Sequence, residues 1–189
     1  RNYPNDGPVT AEFEQAVAAL CGVPFAVATT SGTAALFLGL KACGIEAGDE
    51  VLVPDITFVA TANAVTLAGA IPVLVDVDPE TFCMDVAAAE TAITPRTRAV
   101  IPVHISGRAA DMTGLCDLAR RHELRVIEDA AEALGSKLGG QSLGSLGDVG
   151  CFSFTANKVI TTGQGGMVVT SSPEVYARLR ELKDHGRPR

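Results

Sequence analysis

The stretch Ala99-Val100-Ile101-Pro102-Val103, followed by Met112 to His122 and then by Leu124-Arg125-Val126-Ile127, decides the fold. A short apolar run, a segment with apolar residues at helical spacing that ends in Arg120-Arg121, and a second short apolar run read as strand, helix, strand. The same alternation extends to both sides. Helices are expected from Thr10 to Leu20, Thr33 to Ala42, Val59 to Ala68, Asp85 to Ile93 and Pro173 to Lys183. Strands are expected from Phe25 to Ala28, Glu50 to Val53, Ile71 to Val75, Val149 to Phe154 and Met167 to Thr170. Strands that are continuously apolar and joined through helices imply a mainly parallel sheet covered on both faces, an α/β fold. With 189 residues, 47% of them apolar, one substantial core and one domain are expected.

Composition narrows the function. Fifteen basic against 22 acidic side chains give a net charge of −7. The basic residues cluster no further than Arg120-Arg121 and the terminal Arg187-Pro188-Arg189, so nucleic-acid binding is disfavoured. The longest apolar runs, such as Ala99 to Val103 and Ile71 to Val75, are far shorter than the roughly 20 residues that span a bilayer. Neither a membrane segment nor a signal peptide is expected. The five cysteines (Cys21, Cys43, Cys83, Cys116, Cys151) are scattered and unpaired in spacing, as in a reduced, cytoplasmic protein where each is a small buried hydrophobe. His104, His122 and His185 form no metal-ligand spacing.

Three segments carry chemistry. In Ser153-Phe154-Thr155-Ala156-Asn157-Lys158-Val159-Ile160-Thr161-Thr162-Gly163-Gln164-Gly165-Gly166, Lys158 stands between an apolar strand and a glycine-rich turn with no competing charge in the loop. Such surroundings suit a partly buried amine that forms an imine with an aldehyde cofactor. Ser31-Gly32-Thr33 links a strand ending at Thr29 to a helix opening at Thr33, placing hydroxyls and free backbone N–H groups at a helix N-terminus. That arrangement is either a phosphate cradle or an ordinary helix cap. Asp129, in Glu128-Asp129-Ala130-Ala131-Glu132, emerges at the carboxyl edge of a strand, where open α/β sheets bind ligands. Its carboxylate is placed either to pair with a pyridine nitrogen or to cap the following segment. Phe58, after Pro54-Asp55, either offers a flat face to a ring or belongs to the core. No phosphate-loop or dinucleotide glycine fingerprint follows the first strand, which counts against a nucleotide-dependent dehydrogenase.

Taken together, Ser31-Gly32-Thr33-Ala34-Ala35-Leu36, Thr57-Phe58-Val59-Ala60-Thr61-Ala62-Asn63, Glu128-Asp129-Ala130-Ala131-Glu132-Ala133 and the run from Ser153 through Lys158 to Gly166 resemble the DegT/StrS family of nucleotide-sugar aminotransferases. These are pyridoxal-phosphate enzymes of fold type I. The likeness runs in order over nearly the whole chain and implies a three-layer large domain. It assigns Lys158 to the imine with pyridoxal 5'-phosphate and to proton transfer, and Asp129 to the pyridine nitrogen. By the same resemblance Phe58 stacks on the ring, Gly32, Thr33 and Ser153 contact the phosphate, and Glu132 lies near the cofactor's other face or O3′. Glutamate at 132 resembles the perosamine-synthase branch, which aminates a 4-keto-6-deoxy hexose carried on GDP. Lysine rather than histidine at 158 favours transamination over dehydration, with L-glutamate as donor, a nucleotide sugar as acceptor and a homodimer as the working unit. Relatives have about twice the length, so residues 1–189 are expected to be a large domain without the family's N-terminal segment and C-terminal small domain. A non-catalytic cofactor-binding relative, an inactive fragment, and another reaction of the same cofactor are the remaining readings.

Overall fold

The computed structural model describes residues 7–187, so Arg1-Asn2-Tyr3 and the terminal Pro188-Arg189 lie outside the described residues. The chain runs α1 (Pro8–Cys21), β1 (Phe25–Thr29), α2 (Gly32–Ala42), β2 (Glu50–Pro54), α3 (Ala60–Leu67), β3 (Ile71–Val75), α4 (Val86–Thr91), β4 (Thr97–Val100), α5 (Met112–Arg121), β5 (Arg125–Asp129), β6 (Lys137–Leu138), β7 (Gln141–Ser142), β8 (Val149–Ser153), β9 (Gly166–Thr170) and α6 (Pro173–Lys183). Helix starts follow local chemistry. Ser31, Asp85, Asp111 and Ser172 each cap a helix by accepting a hydrogen bond from the N–H three residues on.

Seven strands form one sheet in the order β1-β9-β8-β5-β4-β2-β3. Among the described strands of this sheet β9 alone runs against its neighbours, pairing antiparallel with both β1 and β8. The expected mainly parallel sheet is thus observed, and its period-two pattern sends side chains to two helical layers. Val27, Val51, Val53, Ala99, Ile101, Ile127, Cys151 and Val168 face α2, α3 and α6. Their neighbours Leu52, Val100 and Val126 face α4 and α5, while Ala26, Phe152, Met167 and Val169 face α1. Helices on both sides make the fold a three-layer sandwich. Cys21, Cys43, Cys83 and Cys151 are buried and Cys116 is half-buried, all as free thiols, and burial raises the pKa of each.

Two departures from the sequence reading have physical causes. The strand expected to reach Val103 ends at Val100: Ile101 N–H still donates to Leu52 (2.8 Å), but Pro102 has no N–H to continue the ladder. Val103 then rejoins the sheet as a single bridge to Asp129. The hairpin β6–β7, with two residues per strand around Gly139-Gly140, is too short to show a hydrophobic period.

Glu128 fastens the centre of the sheet to the loop before β8. Its carboxylate is fully buried and accepts from the N–H groups of Leu146 (2.6 Å), Gly147 (2.6 Å) and Gly144 (2.8 Å), and from Nε2 of His104 (2.8 Å). His104 Nδ1 accepts from Ala110 N–H (3.2 Å), which leaves the ring proton on Nε2, facing the carboxylate. Replacing Glu128 with Gln puts an amide donor against one pair of these donors. Glu128→Gln should therefore lower stability by about 2–4 kcal/mol in urea unfolding, as expected for buried donors left without an acceptor.

Candidate active site

The carboxyl ends of β1, β2, β4, β5 and β8 lie along one edge of the sheet, and the loops that leave them enclose a cavity of about 290 Å³. Its walls include Gly32, Thr33, Phe58, Asp129, Glu132, Ser153 and Lys158. All seven residues singled out from the sequence therefore meet in one place, at the small end of the range for small-molecule sites.

At one wall, the N-terminus of α2 closes against the end of β8. Ser31 uses its hydroxyl as the helix cap, accepting from Ala34 N–H (3.1 Å), so the cap reading holds for that side chain. The N–H groups of Gly32 and Thr33, in the first turn, have no acceptor within the helix and lie in the cavity wall. Gly32 must be glycine, because a Cβ there would stand 2.7 Å from Cβ of Ser153. Gly166 meets the same constraint from β9, where a Cβ would fall 2.2 Å from the carbonyl oxygen of Ser31. Two glycines thus bring a helix N-terminus and the Ser153 side chain together, a geometry that suits an anion.

On the opposite side Asp129 closes β5 with its side chain inside the cavity but almost out of water, at 6% exposure. Thr61 at the start of α3 donates to Oδ2 (2.8 Å), and Ala131 N–H donates to Oδ1 (3.2 Å). No helix follows Asp129, so its cap role is confined to this one local turn. Burial raises its pKa, against the lowering effect of Thr61, Ala131 and the charge of Lys158.

Lys158 sits in the loop between β8 and β9, with its side chain 13% exposed and Nζ 3.2 Å from Oε1 of Glu132. The other oxygen of Glu132 accepts from Ser106 N–H (2.8 Å), and that bond, ahead of the lysine, holds its carboxyl below the usual range. Phe58 is not core: the residue is 70% exposed and forms part of the cavity wall.

Sequence reasoning missed Thr61, Thr57 and Ser106. Thr57 lies in the turn before α3 and Thr61 in the first turn of the helix, and their hydroxyl oxygens are 2.7 Å apart. Ser106-Gly107 is a turn dipeptide, and Ser106 takes a left-handed φ of 51°. Nothing in its own sequence points to Glu132.

Residues 2–189 match the DegT/DnrJ/EryC1/StrS aminotransferase family. The chain belongs to this family. It is 53% identical over 180 residues to the GDP-perosamine synthase of Caulobacter vibrioides, covering 95% of this chain and 48% of that protein. A solved structure of DesI in the presence of its TDP-sugar product superimposes with a TM-score of 0.93 at 44% identity, over 96% of this chain and 46% of that one. NtdA from Bacillus subtilis, solved with bound cofactor PMP, superimposes with a TM-score of 0.88 at 36% identity, over 94% and 40%. The chain spans about half the length of the curated relatives it matches. The family and the fold type expected from the four motifs are both found, as is kinship with the perosamine-synthase branch.

Because the folded protein raises the Asp129 pKa above its ordinary 3.8, the folded state binds that proton more tightly than the unfolded chain. The stability this proton contributes is complete below pH 3.8 and is lost as pH rises through the raised folded value. Asp129→Asn removes the titration. In urea unfolding of the cofactor-free protein, the variant should gain stability relative to the wild type as pH is raised from 4 to 8.

Proposed function

We propose that this chain is the cofactor-binding large domain of a pyridoxal-phosphate aminotransferase that moves an amino group from L-glutamate to a keto sugar carried on a nucleotide. The observation that carries the reading is the meeting, in one cavity, of a lysine amine, a buried carboxyl, a helix N-terminus and an exposed aromatic face. Those four features match an aldehyde, a basic ring nitrogen, a phosphate and a flat ring. Bound, pyridoxal phosphate supplies an electron sink through its protonated ring.

Each residue then has a definite task. The N–H groups of Gly32 and Thr33 and the hydroxyl of Ser153 bind the phosphate. Asp129, poor in water and short of donors, keeps a proton on the ring nitrogen by becoming its counter-ion. Phe58 covers one ring face and excludes water from it. Lys158 would hold the cofactor's aldehyde carbon through Nζ and, as a free amine, would carry the proton to and from the reacting carbon. Glu132, already paired with Lys158, keeps that amine oriented towards the cavity.

The nucleotide-sugar acceptor is supported by the GDP-perosamine synthase and by the TDP-sugar product named with DesI, and a GDP-linked 4-keto-6-deoxy hexose is the first candidate. Such a product feeds cell-surface polysaccharide or antibiotic sugar synthesis. A second copy of the chain is the proposed partner: Val59, Leu67 and Leu74 are more than half exposed, apolar side chains that a homodimer would cover. Free thiols, in turn, support a cytoplasmic setting.

Borohydride reduction of the protein loaded with pyridoxal phosphate, followed by peptide mass spectrometry, tests the assignment. The pyridoxyl mass should appear on the peptide carrying Lys158 and vanish in Lys158→Ala. Attachment to Lys41, Lys137 or Lys183 instead would overturn it. Adding L-glutamate to the loaded protein should bleach its visible absorbance, a change that a non-catalytic cofactor-binding relative would not show.

A further inference from the structure

Thr61 is fully buried, and its hydroxyl oxygen stands among three others. It lies 2.7 Å from Oγ1 of Thr57, 2.8 Å from Oδ2 of Asp129 and 3.1 Å from the carbonyl oxygen of Phe58. A hydroxyl has one proton to give and two lone pairs to fill. The carbonyl of Phe58 can only accept, the hydroxyl of Thr57 can do either, and the carboxyl of Asp129 accepts when ionised and can donate when protonated. We infer that Thr61 is a positioning residue whose hydroxyl turns between two partners, so that Asp129 stays hydrogen-bonded in both of its protonation states.

The protons balance in each state. With Asp129 neutral, its Oδ2–H donates to Thr61, Thr57 also donates to Thr61, and Thr61 donates to the carbonyl of Phe58. With Asp129 ionised, Thr57 still donates to Thr61, and Thr61 turns to donate to Oδ2. The carbonyl of Phe58 is not orphaned by the turn, because the backbone N–H of Thr61 also donates to it, at 3.1 Å. No buried group loses its last partner in either arrangement, so neither state bears the cost of an unsatisfied polar atom.

This inference rests on the proposed pairing of Asp129 with a protonated ring, which requires the carboxyl to change charge when the ring arrives. Without the ring, burial favours the neutral acid. The groups that face it are Thr61 from α3, Ala131 N–H from the turn, the charge of Lys158, the ring of His104, and the thiol of Cys151 on β8, whose own pKa Asp129 helps to raise. Of these, Thr61 is the one whose proton can be redirected without moving an atom of the backbone. It also ties the charge of the acid to the carbonyl of Phe58, a residue of the cavity wall.

The test uses the full chain without cofactor, with 13C-labelled aspartate, and follows the Asp129 carboxyl carbon through a pH titration, its signal assigned by Asp129→Asn. Thr61→Val, which keeps the shape and removes the hydroxyl, takes a bond from both states but the stronger, charge-assisted one from the ionised state, so it should raise the titration midpoint by about half a pH unit or more, about threefold in proton affinity. Thr61→Ser should return it to the wild-type value. An unmoved midpoint in Thr61→Val overturns the inference. Should that variant not fold, Thr61→Ala decides: the midpoint should rise in the same way, and no rise overturns it. In a second arm, pyridoxal phosphate binding followed by absorbance should weaken severalfold in Thr61→Val and recover in Thr61→Ser. Failure of the wild type to bind pyridoxal phosphate would sink the proposed function, while the carboxyl titration would still decide the role of Thr61.

Discussion

A carboxyl group removed from water and fixed at the end of the central strand is the constraint around which the site is arranged. Burying an acid with few hydrogen-bond donors is costly, and the cost is tolerable only if the acid is neutral or if a cation later arrives beside it. Asp129 receives one N–H and one hydroxyl. The backbone around it is held firmly on both sides, with its N–H donating to Pro102 (2.8 Å) and its carbonyl accepting from His104 (3.1 Å). The position of the carboxyl is therefore set by the sheet, while its charge is left to be set by what enters the cavity.

The preceding residue shows the alternative. Glu128 and Asp129 are consecutive on one strand, so their side chains leave opposite faces of the sheet. Glu128 meets four N–H donors and is a structural anchor that holds the 144–147 loop and His104. His104 in turn closes the 104–110 loop through Ala110, and Ser106 within that loop fixes Glu132, the partner of Lys158. Two neighbouring acids thus divide the work by donor count alone: the well-supplied one builds the wall, and the undersupplied one faces the ligand.

Periodicity in the sequence revealed the elements, an exposed edge strand and a capped helix among them. Ile71–Val75 and Pro173–Lys183 have the bounds expected from the sequence. It failed where backbone chemistry intervenes without a pattern, as at Pro102, or where an element is too short to have one, as in the β6–β7 hairpin. Within the site, residues that face the cavity through their own motif could be named in advance. Thr61 and Ser106 could not, because each acts on an acid far along the chain, at Asp129 and Glu132, and such pairings exist only once the strands are stacked. Phe58 illustrates the limit differently: an aromatic just before a helix can be core or can offer a flat face, and only the fold shows it exposed in the cavity wall.

Net charge alone would make this chain a poor host for a phosphorylated ligand, since it carries seven more acidic than basic groups. Local geometry reverses that bias over a few ångströms. The first N–H groups of α2 present partial positive charge, and Gly32 and Gly166 let Ser153 and the β1–α2 turn crowd in so that this charge is concentrated rather than spread. The acids of the site are kept at its other wall: Glu132 is engaged by Ser106 and Lys158, and Asp129 is disposed by burial to carry a proton until a cation faces it. A ligand negative at one end and basic at the other therefore finds a complementary charge at each wall, and the strand ends that carry these groups fix its orientation between them.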